Sequence, residues 1–260
     1  VDSISPPTGS TQGGYSVVIA GSNFGLNASA QIGGAVWEVD AAMSSHTELH
    51  LTAEAYEGAE QVVQVTAGNQ DNAEDAPQHF SYAAPVIDSF LSTLEVGTAG
   101  SLTSVTVTGS NFGLLGPVVT LGGDVMEVLA FNHSALEFVI PPGQGKHLVL
   151  VVNVSGQIGT SPDSFSYAPP VISSASPLQG DTQGGRLANE TLSTITGSNF
   201  GSMDKPFTLR FGAHFVVPRE DIVSYTSSEI QFYHPTGLGL QVLVNLTVGG
   251  QQAVASGGES

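Results

Sequence analysis

The chain has 260 residues, with 23 acidic side chains against five basic ones, a formal net charge of −18 and no cysteine. The five cations, Lys146, Arg186, Lys205, Arg210 and Arg219, are too scattered to form a stripe, which excludes binding along a nucleic-acid backbone and opposes an anionic membrane surface. Without cysteine there is no disulfide framework, thiol nucleophile or thiolate metal site, and no run of 18 apolar residues offers a membrane span. Charged residues make up 11% of the chain, against about 25% in typical soluble domains. Ser, Thr, Gly, Asn and Gln replace them. Such a surface is either kept soluble by attached sugars or is that of a Ser/Thr-rich extracellular β-domain. The length allows one to three domains, and the start at Val1 reads as a mature or trimmed piece of a longer protein.

In chain order, the first β-branched run is Ser16-Val17-Val18-Ile19, followed by Gly-Ser-Asn-Phe-Gly at 21–25. An Ile32-Gly33-Gly34 turn and a run from Gln61 to Val65 come next, and the stretch closes with Phe80-Ser81-Tyr82. The same succession then repeats. Ser104 to Thr108 leads into Gly-Ser-Asn-Phe-Gly at 109–113, Leu121-Gly122-Gly123 echoes the first turn, Leu148 to Val152 forms a run, and Phe165-Ser166-Tyr167 closes. A third copy has Thr182-Gln183-Gly184-Gly185, matching Thr11-Gln12-Gly13-Gly14, then Gly-Ser-Asn-Phe-Gly at 197–201 and Phe211-Gly212-Ala213 as a weaker turn. Several marks in one order at nearly one period define three units, 1–84, 85–169 and 170–260. Turn residues every 8 to 12 positions and no sustained 3.6-residue pattern predict an all-β fold of sandwich type.

These marks together resemble the IPT/TIG domain family: a Pro-x-Ile opening, Gly-Gly before the second strand, Gly-Ser-Asn-Phe-Gly after it, an apolar-Gly-Gly hairpin and a Phe-x-Tyr last strand. The resemblance covers the whole chain and implies three tandem immunoglobulin-like β-sandwiches. Family members occur in plexins, growth-factor receptors, ciliary proteins, bacterial surface proteins and Rel-type transcription factors, so the fold does not fix the function. The basic loops of the DNA-contacting members have no counterpart here. Within the motif, Phe24, Phe112 and Phe200 are expected to plug the core. Gly25, Gly113 and Gly201 then permit a turn at positive φ, and Asn23, Asn111 and Asn199 bond that turn's backbone.

The linkers Tyr82-Ala83-Ala84-Pro85-Val86-Ile87 and Tyr167-Ala168-Pro169-Pro170-Val171-Ile172 contain no flexible tether, and proline favours extended chain. A stiff rod is expected. After Ala255 the sequence does not supply a Phe-Ser-Tyr strand, so repeat 3 is expected to lack its last strand. Either the chain is cut from a longer array, or a neighbouring chain adds a strand to the open edge.

Asn-x-Ser/Thr sequons at Asn27, Asn132, Asn153, Asn189 and Asn245 are candidate glycosylation sites. Asn153 and Asn245 are read as matching positions on strands, Asn27 and Asn189 as loop residues, and Asn132 as preceding a strand. His46 and His50 have the spacing of a helical zinc pair, but alternation with Leu49 and Leu51 predicts a strand, on which they stand roughly 13 Å apart. They are read as solvent-facing. Glu54, Glu57, Glu60, Asp71, Glu74 and Asp75 make repeat 1 acidic, and without an EF-hand order they are read as solvated rather than calcium-binding. Hydrolase and phosphate-binding signatures are missing, so no catalytic residue, metal or cofactor is expected. The reading is a non-catalytic, extracellular or cell-surface glycoprotein segment. Its first form is a stiff structural rod that self-associates head to tail or packs on neighbouring repeats, as in a fibre or appendage. The alternative is a receptor or adhesin ectodomain that binds a protein or glycan. A third form, an accessory sandwich of a carbohydrate-active enzyme, has little aromatic surface to support it, since Trp37 is the single Trp.

Overall fold

The computed structural model describes all residues except 73–76, 91–95, 101–103, 178–182, 185–190, 212–214, 237–242 and 256–260, and only the backbone of Val254 and Ala255. Apart from one short 3-10 turn at Arg219–Asp221, every regular element among the described residues is a strand. The β-branched runs form them because alternate side chains reach one buried face. In Ser16–Ala20, Val17 and Ile19 are fully buried. They sit opposite Leu51 and Leu49 of Glu48–Thr52, which are buried too. A second layer sets Ser29–Ile32 between Ala35–Val39 and Gln61–Ala67. One core of Val17, Ile19, Phe24, Trp37, Phe80 and Tyr82 fills the space between the layers.

The chain falls into two compact units. The first comprises Val1–Phe90, Val105–Phe138 and Val149–Asp163. Within it, repeat 1 joins its two layers through a single strand. Ala35–Val39 pairs with Ser29–Ile32 through Ala30↔Trp37 and with Glu48–Thr52 through Val39↔Leu51. In repeat 2 the matching stretch is cut at Glu127. Asp124–Met126 pairs with Val118–Leu121, and Val128–Phe131 pairs with Ala135–Val139. The repeat therefore has two separate four-stranded sheets. The Gly33-Gly34 hairpin needs both residues at positive φ, 60° and 90°, which glycine adopts without strain.

The second unit comprises Leu91–Ser104, Val139–Leu148 and Ser164–Ser260. Leu192–Ser198 pairs there with Val171–Ser176 on one side and Glu229–Tyr233 on the other, while Phe207–Phe211 pairs with Val244–Val248. Ile195, Phe200, Leu209, Phe232 and Leu246 form its core. Near the end of the chain, Val254–Ala255 runs parallel to the first strand of the repeat, with Val171↔Val254 and Ile172↔Ala255. The place of a further strand falls outside the described residues.

Candidate functional site

The three Gly-Ser-Asn-Phe-Gly motifs share one geometry. Phe24, Phe112 and Phe200 are buried, with 4%, 0% and 0% of their surface exposed. Gly25, Gly113 and Gly201 lie at φ near +70°, and Asn23, Asn111 and Asn199 at φ near +60°. Left-handed φ at the asparagines is a second reason for that residue type, and sequence reading had assigned it only to the glycines. The asparagine side chains also do something different from the expected local bonding. Asn111 and Asn199 reach back to the preceding repeat.

At the first junction, the Thr11 N–H donates to Asn111 Oδ1 at 3.2 Å, and Asn111 Nδ2 donates to the Ala84 carbonyl at 3.2 Å. Thr11 Oγ1 and His133 Nδ1 share a 2.9 Å hydrogen bond. Glu57 Oε2 accepts from the N–H groups of Leu114 at 2.6 Å and Leu115 at 3.0 Å, while Glu57 Oε1 accepts from the Ser155 hydroxyl at 2.6 Å. Gln157 Nε2 donates to the Tyr82 carbonyl at 2.8 Å. Glu57 is only 4% exposed. It is a buried carboxylate satisfied by three donors, which is the condition for keeping its charge there. Burial pushes its carboxyl up, but the Leu115 N–H, the Ser155 hydroxyl and the Leu114 N–H together hold it below the usual carboxylate value. Glu57 therefore corrects the reading of the acidic stretch as solvated. Glu54, Glu60 and Asp71 remain at least partly exposed, while Glu74 and Asp75 lie outside the described residues.

The second junction repeats the plan with changed side chains. The Thr98 N–H donates to Asn199 Oδ1 at 3.4 Å, and Asn199 Nδ2 donates to the Pro169 carbonyl at 3.1 Å. Thr98 Oγ1 accepts from the Gly201 N–H at 3.2 Å. Gln144 stands where Glu57 stands. Its Oε1 accepts from the Ser202 N–H at 3.1 Å and its Nε2 donates to the Pro206 carbonyl at 2.7 Å. Gln251 Nε2 donates to the Tyr167 carbonyl at 2.9 Å, as Gln157 does to Tyr82. The glycines that close the motifs are needed for this approach. A Cβ on Gly113 would run into Glu57 Oε2, and one on Gly201 into Gln144 Oε1. A comparison of Glu57-Gly58 with Gln144-Gly145 in sequence was the signal available for this pair, and an acid opposite an amide concealed it.

The sequons occupy different settings. Asn27 and Asn132 are exposed. Asn132 Oδ1 accepts from the Ser134 and Ala135 N–H groups and from the Ser134 hydroxyl. Asn153 and Asn245 are half-buried strand residues, but they do not match. Asn153 pairs with Val118, and Asn245 with Arg210. Arg210 precedes the turn residue Phe211 by one position, whereas Val118 precedes its equivalent, Leu121, by three. The two asparagines are therefore offset by two residues along the ladder, still on the same face. Asn189 lies outside the described residues. His46 is exposed but precedes the strand, and His50, on Glu48–Thr52, is half-buried rather than solvent-facing. Among the described residues, no group of three His, Asp or Glu comes together as a metal would need.

A shallow groove on repeat 3 is lined by Gln183, Phe215, Asp221, Tyr233, His234 and Thr236. Phe215 is 36% exposed. The His234 ring is held edge-on to Phe211 at 5.4 Å and by a 2.8 Å hydrogen bond between Nδ1 and Ser193 Oγ.

Sandwiches with these strand pairings and a shared Gly-Ser-Asn-Phe-Gly turn define a tandem immunoglobulin-like repeat protein. The sequence profile of the IPT/TIG domain matches residues 1–82, 85–167 and 170–259, and the chain belongs to that family. No curated protein sequence matches it. Among solved structures, one described with xylogluco-oligosaccharide is 19% identical, with a TM-score of 0.43 over 97% of this chain and 58% of that one. A surface glycan-binding protein from Prevotella bryantii is 16% identical, with a TM-score of 0.43 over 65% of this chain and 41% of that one. The plexin A4 extracellular region is 15% identical, with a TM-score of 0.34 over 97% of this chain and 24% of that one. The chain thus spans less than two thirds of each of these molecules, and the likeness concerns the fold alone.

Proposed function

We propose that the chain is a non-catalytic segment of an extracellular or cell-surface ectodomain, in which IPT/TIG repeats joined end to end carry a binding surface for a glycan or protein ligand. The observation that carries this reading is the junction. Matching bonds from Asn111 and Gln157 join repeat 1 to repeat 2, and from Asn199 and Gln251 join repeat 2 to repeat 3, and these groups are committed to holding repeats rather than to chemistry. The groove on repeat 3 supports a glycan ligand, because the aromatic residues Phe215 and Tyr233 line it together with the polar residues Asp221 and Gln183. Apolar faces with a few convergent polar groups are what sugars need. N-glycans at Asn27, Asn132, Asn153, Asn189 and Asn245 belong to the same reading.

The test is a screen of neutral oligosaccharides against the full chain, followed by calorimetry. Saturable binding that Tyr233→Ala reduces at least about tenfold, a loss near 1.4 kcal/mol, supports the groove. Binding that Tyr233→Ala leaves unchanged, or no binding to any oligosaccharide, overturns it. Intact-mass measurement of protein from its native source tests the glycans, because the bare chain weighs 26.6 kDa.

A further inference from the structure

The two junctions each have an upper face, on the following repeat, and a lower face, on the preceding one. The upper face of the first junction consists of Asn111, His133, Gln157, the Ser155 hydroxyl and the N–H groups of Leu114 and Leu115. Repeat 1 carries the same face at its own outer end. Asn23 holds the same left-handed φ as Asn111, 63° against 61°. The His46 carbonyl accepts from the Phe24 N–H at 3.1 Å, as the His133 carbonyl does from Phe112. Gln70 follows the left-handed pair Gly68-Asn69, as Gln157 follows Ser155-Gly156. Leu26 stands in the place of Leu114, and Asn27 in that of Leu115.

What differs is occupancy. Asn23, His46 and Gln70 are all exposed and make no side-chain hydrogen bond among the described residues. Leu26 is 80% exposed, against 47% for Leu114. Among the described residues nothing in repeat 1 uses these three side chains, yet they repeat the Asn, His and Gln of the first junction. The histidine matches the first junction, since Ser227 replaces it at the second, while Gly68 stands at the place of Ser155, as Gly249 does at the second junction.

We propose that the outer end of repeat 1 is a docking socket for one more IPT/TIG-type repeat, one that presents a Glu or Gln at the place of Glu57, a Thr at the place of Thr11 and the carbonyl of a closing Tyr. The carboxylate or carboxamide caps the Leu26 and Asn27 N–H groups, the Thr N–H and hydroxyl meet Asn23 and His46, and Gln70 donates to the Tyr carbonyl. In sequence, Leu238 stands six residues before Val244, as Gln144 stands six before Leu150, so a second copy offers no Glu or Gln side chain at that spacing in its third repeat. This inference stands apart from the ligand reading, since no groove residue takes part in it.

The experiment extends the full chain with a second copy of residues 1–86 placed ahead of Val1, made in bacteria so that Asn27 carries no sugar. Amide hydrogen exchange is read at Leu26 and Asn27 of the original repeat. The expected result is slowing by about tenfold or more relative to the unextended chain, lost again when only the added copy carries Glu57→Leu. Protection of Val17 and Ile19 in the added copy checks that it is folded in both versions. Unchanged exchange at Leu26 and Asn27 overturns the proposal. Slowing that persists with Glu57→Leu also overturns it, because the cover is then unspecific. His46→Ala is a second probe. It is expected to leave the unextended chain unchanged and to speed Leu26 exchange in the extended one, and an equal effect in both contradicts the socket.

Discussion

One junction is closed by a carboxylate and the other by a carboxamide at the same place, and the exchange shows what each residue requires of its surroundings. Glu57 has only acceptors, and repeat 2 meets it with donors alone: two backbone N–H groups and the Ser155 hydroxyl. Gln144 has a carbonyl oxygen that accepts and an NH2 group that donates, and repeat 3 meets them with the Ser202 N–H and the Pro206 carbonyl. Gly249 takes the place of Ser155 at the second junction. A Cβ there would lie 2.5 Å from the Gly145 backbone nitrogen, so the hydroxyl is given up for close backbone approach. The bonds to Asn111 and Asn199 and to Gln157 and Gln251 are kept in both. The junction thus keeps its Asn and Gln bonds while the Glu57/Gln144 position and the groups that meet it and the Thr hydroxyl change together.

The largest test of this equivalence is at the phenylalanines beneath the turns. Phe112→Ala and Phe200→Ala are each expected to cost about 3 to 5 kcal/mol, read as denaturant unfolding, and a loss below about 1 kcal/mol at either would break the comparison. Next come the variable positions. Glu57→Leu leaves the Leu114 and Leu115 N–H groups unpaired and removes charge-assisted bonds, for an expected loss of about 3 kcal/mol. Gln144→Leu strands one N–H and one carbonyl without charge, for about 1 to 2 kcal/mol. Equal losses would mean that charge does not distinguish the junctions. Asn111→Ala and Asn199→Ala are expected to cost about 1 kcal/mol each, with unfolding of adjacent repeats becoming less cooperative.

The smallest effect is that of acid. Because the Glu57 carboxyl is held below its unfolded value, near 4.3, its contribution is fully present above that pH. It is lost as pH falls through the folded value. Glu57→Gln removes this dependence, and the Gln144 junction has none from this position. A titration that weakens both junctions alike in the same acid range would contradict the assignment to Glu57.

The strands and the core were legible because Val17 and Ile19 sit in a β-branched run, and Val105 and Val107 alternate with Thr106 and Thr108, beside repeated turn marks, and such short runs form strands with a buried face. The burial of Phe112 and the turn at Gly113 follow from the same local chemistry. The junctions were harder to read. The bond from Asn111 to Thr11 crosses 100 residues, and nothing local to Asn111 distinguishes it from an ordinary turn asparagine. Glu57 sits among other acids and differs from them only in what the next repeat brings to it. The supposed match of Asn153 with Asn245 failed because a shared Val-Asn string does not fix register. The hairpin ahead of it does.

The most direct measurement is amide exchange on the full chain at Leu114, Leu115 and Ser202, compared between the native protein, Glu57→Leu and Gln144→Leu. Junctions closed by these side chains predict that Glu57→Leu exposes Leu114 and Leu115 while Ser202 keeps its protection, and that Gln144→Leu does the reverse. If all three amides keep their protection in both variants, the repeats are held by something other than Glu57 and Gln144, and the account of the junctions is wrong.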